Sequence, residues 1–67
     1  MKERFTFKKM VIEGVIDACK QVPYYQSTEA LAQVRRDMEN QWINGIQYFC
    51  IAAQNYLKDV NYRLGLK

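Results

Sequence analysis

NQWINGIQYFCIAAQNYL, residues 40–57, contains no charged residue, in a chain of which 25% is charged. Three structures fit such a run: a membrane segment, a hairpin turning at Asn44-Gly45, or a helix buried against something. A membrane helix needs about 20 predominantly apolar residues. Asn40, Gln41, Asn44, Gln47, Gln54 and Asn55 interrupt this one. A hairpin needs strand alternation on both sides of the turn, and neither ENQWI nor IQYFC alternates. The period of a helix does run through it. Trp42, Ile46, Phe49, Ala53, Leu57, Val60 and Leu64 advance by threes and fours, the spacing of one helical face. Extended backward, the stripe reaches Met38 and Leu31. Glu29, Gln33, Arg36, Asp37, Asn40, Asn44, Gln47, Gln54, Asn55 and Lys58 lie opposite, with Ile51 and Tyr62 the exceptions. The run is thus half of an amphipathic helix whose polar side uses amides.

The chain around it reads as all-α. Thr6 can cap a helix starting at Phe7. Phe7, Val11, Val15, Ala18 and Val22 form its apolar line, flanked by Met10, Ile12, Ile16 and Cys19. Lys9, Glu13, Asp17 and Lys20 share the polar face. The expected helix runs from 7 to 22, and its apolar arc is wider than one neighbour covers. Gly14 lies inside it. Pro23 ends it, because a residue before proline avoids the α region. Tyr24 and Tyr25 form the connection. Ser27 or Thr28 caps the second helix, with Glu29 in its first turn. That helix is expected to continue from 28 to 64. The alternative is a three-helix bundle broken at Asn44-Gly45, the strongest short turn signal in the chain.

Sixty-seven residues make a single helical domain, 1–67, and a lone core of this size is marginal. Small chains gain support from disulfides, a metal or oligomerisation. With two cysteines and no histidine, a standard structural zinc site is excluded. There is no CxxC motif, and Cys19 and Cys50 read as reduced core residues. Oligomerisation remains. A helix of residues 7–22 spans about 24 Å and one of 28–64 about 55 Å. Folded as a hairpin, the longer helix has no partner in the chain beyond residue 43. Two hairpins pairing as a homodimer remove the mismatch, with Trp42, Ile46, Phe49, Ala53, Leu57, Val60 and Leu64 as the dimer interface.

The chemistry on offer points to binding. There is no Gly-rich phosphate loop, no GxSxG and no metal constellation. Glu13 and Asp17 face lysines on a solvated surface, and Cys50 lacks a histidine base. No catalytic, cofactor-binding or metal-binding residue is expected, and the reading is non-enzymatic. Off the main stripe, Tyr24, Tyr25, Tyr48 and Tyr62 form a candidate surface for another protein, since aromatics are enriched in interface cores. The net charge is +3. A small basic nucleic-acid-binding regulator is therefore the alternative, with Lys2, Arg4, Lys8, Lys9, Arg35 and Arg36 as its phosphate contacts.

The opening MKERFTFKKMVIEGVIDACK and the Tyr- and Gln-rich helical character resemble short accessory proteins from the early regions of lambdoid phages and prophages. The resemblance implies a small effector that binds a host or phage protein, and it transfers no site residue. VIEGVIDACK carries Glu13, Asp17 and Lys20, which a signal peptide would not. The expected location is the cytoplasm, with no cofactor and no membrane partner.

Overall fold

The structure, a computed structural model, describes the backbone of residues 2–65 and the side chains of residues 7–65. Three helices make up the fold: α1 (Lys2–Cys19), α2 (Thr28–Asn44) and α3 (Ile46–Leu64), with one 3₁₀ turn at Pro23–Tyr25 between α1 and α2. No strand occurs among the described residues. The all-α expectation holds. The single helix from 28 to 64 does not.

Gly45 is the reason. Its φ of 150° and ψ of 152° lie where an L side chain is strained and glycine is not. The Gly45 N–H donates to the Gln41 carbonyl at 3.0 Å, closing α2, and its own carbonyl accepts the Phe49 N–H at 3.0 Å, opening α3. One residue therefore caps both helices and reverses the chain. Neither the hairpin of unequal helices nor the unpartnered end it implied is present in the chain.

The other boundaries differ from expectation for local reasons. α1 begins at Lys2, so Thr6 lies inside the helix instead of capping it. At its other end the chain tightens: Gln21 N–H donates to Ala18 O at 3.1 Å and Val22 N–H to Cys19 O at 3.0 Å, the i→i+3 pattern of a closing turn. Val22 is then extended, at φ −115° and ψ 126°, as its place before Pro23 demands. Ser27 caps α2, its Oγ accepting the Ala30 N–H at 3.0 Å. Gly65, left-handed at φ 81°, ends α3.

Side-chain contacts set the directions of the helices. Lys8 meets Glu39 and Glu13 meets Arg35, so α1 and α2 run antiparallel. Trp42 meets Phe49 and Asp37 meets Tyr56, so α2 and α3 do too. α1 and α3 run the same way, with the Phe7 and Phe49 rings 6.2 Å apart. The core holds Ile12, Val15, Ile16, Cys19 and Val22 from α1 and its end. Tyr25, Val34 and Met38 come from the middle of the chain, and Phe49, Ala53 and Val60 from α3. Phe7, Trp42 and Phe49 close one end as an aromatic cluster, with Trp42 and Phe49 edge to face at 4.9 Å. Both cysteines are free; Cys19 is in the core and Cys50 is half-buried.

Replacing Gly45 with Ala tests the turn. Its Cβ would meet only the Tyr48 ring at 3.4 Å, so backbone strain dominates. Urea unfolding should show a loss of about 1–3 kcal/mol. An unchanged midpoint would mean that α2 does not reverse at this residue.

Candidate functional site

Three helices meet along three seams, and the seams differ in chemistry. The α1–α2 seam is ionic. Lys8 Nζ lies 2.6 Å from Glu39 Oε1, and Arg35 Nη1 lies 3.3 Å from Glu13 Oε2. Both pairs are partly exposed and contribute modestly, about 0–1 kcal/mol each.

The seam between α2 and α3 is closed by tyrosines and carboxylates. Tyr56 donates its hydroxyl to Asp37 Oδ2 at 2.6 Å. Tyr25, carried inward by the 3₁₀ turn, donates to Asp59 Oδ2. Arg63 Nε reaches the same Asp59 oxygen at 2.8 Å, and its guanidinium carbon lies 3.7 Å from the centre of the Tyr24 ring. Tyr24 and Tyr25 stack edge to face at 4.9 Å. The pKa directions follow from these contacts. Burial, then the bond to Asp59, pushes the Tyr25 hydroxyl up from 10.0 to about 12. Burial and the Asp37 bond move Tyr56 the same way. Asp59 is held below its usual value, first by the Tyr25 bond and then by Arg63. Burial, with Asp59 adding to it, raises the Cys19 thiol.

The third seam, between α1 and α3, is apolar. Among the described residues, no side-chain hydrogen bond or ion pair joins these two helices. With Phe49 pointing into the core, Ile46, Leu57 and Leu64 lie roughly 60–80° to its α1 side, at 100° per residue. All three are exposed, Ile46 by 57%. Across the seam α1 presents Phe7, exposed by 42%; Met10 points outward beside Asp17, roughly 20° away at 100° per residue. Gly14 sits on the Phe7 face with open space around it.

The residues expected at a dimer interface thus divide. Phe49, Ala53 and Val60 are consumed in the core of a single chain, and Trp42 is half-buried against Phe7 and Phe49. Ile46, Leu57 and Leu64 remain available. Of the tyrosines read as a partner surface, Tyr24, Tyr48 and Tyr62 are exposed, whereas Tyr25 is buried and bonded to Asp59. Of the cations, Lys8 and Arg35 are paired with carboxylates. Lys9 and Arg36 make no ion pair among the described residues, and the side chains of Lys2 and Arg4 lie outside them. The structure gathers Lys8, Lys9 and Arg35 on the α1–α2 side, but with Glu39 among them.

Sequence reasoning missed the tyrosine–carboxylate network. It set Asp37 on a solvated face and did not place Asp59. A signal existed: a buried tyrosine needs a partner for its hydroxyl, and Tyr56 and Asp59 share a face of α3 by spacing. No group of metal-ligating side chains occurs among the described residues. No helix there is long and apolar enough to cross a membrane. In comparisons with known proteins, the chain matches no family model, no curated protein and no solved structure.

Two measurements test the network. Tyr25 and Tyr56 have raised pKa values, so the stability they contribute is full below the unfolded tyrosine value and is lost as pH climbs through the folded one. The urea midpoint should therefore fall between about pH 10 and 12, and part of the tyrosinate absorbance should appear later in the folded chain than in urea. Simultaneous titration of all five tyrosines would refute the network. Separately, Tyr56→Phe should cost about 1–2 kcal/mol, because it leaves the half-buried Asp37 one donor short.

Proposed function

We propose that this chain is a non-enzymatic interaction protein that self-associates through the α1–α3 face and offers its tyrosine-bearing side to another protein. The observation that carries this is the unlatched apolar seam. Ile46, Leu57 and Leu64 are large, exposed and on one flank of α3, with Phe7 of α1 beside its first turn. Monomers seldom leave contiguous apolar surface in water. The occupant favoured is a second copy. The patch residues carry no charge, so two chains of net charge +3 meet there with less repulsion than on their ionic faces. A symmetric pair is the commonest closed arrangement for identical chains.

The resemblance to phage accessory proteins supports a regulatory role, with a host or phage protein as the second partner and the cytoplasm as the site of action. A nucleic-acid-binding regulator has weaker support, because Lys8 and Arg35 are paired to carboxylates within the chain and dense, unneutralised cations are what phosphate binding requires.

Leu57→Glu is the test. Leu57 is 40% exposed, so the charge falls on the patch and not in the core. Sedimentation velocity should show a wild-type dimer at micromolar concentration and a monomeric variant, with helical circular dichroism preserved in both. Phe49→Glu cannot serve, since Phe49 is fully buried within one chain and the variant would unfold whatever the oligomer. A monomeric wild type would overturn self-association.

A further inference from the structure

We infer that the groove between α2 and α3, whose rim carries the Tyr48 ring, receives an arginine side chain from a partner protein, held by Asp37. This rests on the reading of the chain as an interaction protein and names the chemistry of its second partner. The groove measures about 370 Å³, within the ~300–1,000 Å³ range of small binding clefts. It lies on the opposite flank of α3 from the apolar patch: Tyr48 and Ile51 fall roughly 100–160° to the α2 side of Phe49. Both are about half exposed, so the rim is apolar and aromatic and open to solvent.

Its charge runs against that of the whole molecule. The chain has net charge +3, yet no Lys or Arg lines the groove, while Asp37 and Asp59 do. Asp59 already has its cation, Arg63. Asp37 accepts from Tyr56 at 2.6 Å and from the Gln41 amide at 3.4 Å and has no cation among the described residues. A carboxylate offers about four acceptor positions, which leaves room for a further donor.

The molecule itself shows what fits such a place. At the neighbouring Asp59, a guanidinium binds the carboxylate at 2.8 Å while stacking 3.7 Å from a tyrosine ring. The α2–α3 groove holds a carboxylate, Asp37, and a half-exposed ring, Tyr48, in one lining, with no guanidinium among them. Arginine suits it better than lysine, since its planar head can stack on a ring and bond a carboxylate together.

The probe is an octapeptide of alternating arginine and leucine, with citrulline replacing arginine in the control. Amide shifts on the isotope-labelled whole chain should map to Gln41, Ile51 and Asn55 with the arginine peptide and not with the control. Asp37→Asn should weaken binding tenfold or more in fluorescence anisotropy. Should that variant unfold, Tyr48→Ala, which removes an exposed ring, must weaken binding at least threefold. Shifts centred on another face, equal binding of the citrulline peptide, or full affinity in the folded variants would overturn the inference. The same peptide on Leu57→Glu separates the two proposals. Binding retained by the variant monomer supports the groove independently of the dimer. A wild type that dimerises but ignores the peptide leaves the apolar patch standing and removes the groove.

Discussion

Everything in this fold depends on one backbone position. Gly45 adopts a conformation that costs other residues about 1–3 kcal/mol, and in doing so it folds α3 back along α2. Reversal there brings Phe49 onto Trp42 and Phe7, sets Tyr56 against Asp37 and Asp59 against Tyr25, and gives α1 a second neighbour. Without it α2 and α3 would be one rod of about 55 Å, and half its apolar stripe would need another chain. The core of a 67-residue protein is small enough that this single reversal decides whether it closes within the chain.

The helices, their inward faces and a candidate break at Asn44-Gly45 were legible in the sequence; the choice between the broken bundle, which the structure adopts, and the continuous helix was not. Trp42, Phe49, Ala53 and Val60 fall on one stripe and prove to face the core. Hydrophobic period reports which face is buried and not what buries it. A one-residue reversal at Gly45 keeps both helices' apolar faces pointing inward, so the stripe crosses it without a phase shift. Only the local Asn44-Gly45 signal marked the turn, and the continuous period outweighed it. The wide apolar arc of α1 had the same ambiguity. It signalled two neighbours, and the structure supplies them as α2 and α3 of the same chain.

The candidate sites were partly legible for a related reason. Ile46, Leu57 and Leu64 were singled out with the core residues because spacing alone does not separate the centre of a stripe from its edge. Tyr25 was placed on the surface because it sits in a connection, yet the 3₁₀ turn after Pro23 carries it inward. The hydroxyl–carboxylate bonds join residues 19 and 34 positions apart. No pattern of local spacing encodes such pairs; they become visible only once the reversal at Gly45 has set the register of α3.

The three seams impose a division of labour. Polar bonds at the α1–α2 and α2–α3 seams fix register, because each has directional requirements that a shifted helix would break. The α1–α3 seam has no such bond among the described residues and is held by non-directional apolar contact. Covering it with more apolar surface therefore breaks no existing polar bond. At the α2–α3 groove an incoming group must instead satisfy a carboxylate that already has neutral donors. The two surfaces lie on opposite flanks of α3, so filling one leaves the other accessible. On the two proposals made above, the apolar face would set the chain's valence and the groove its choice of partner, which is the behaviour of a symmetric adaptor.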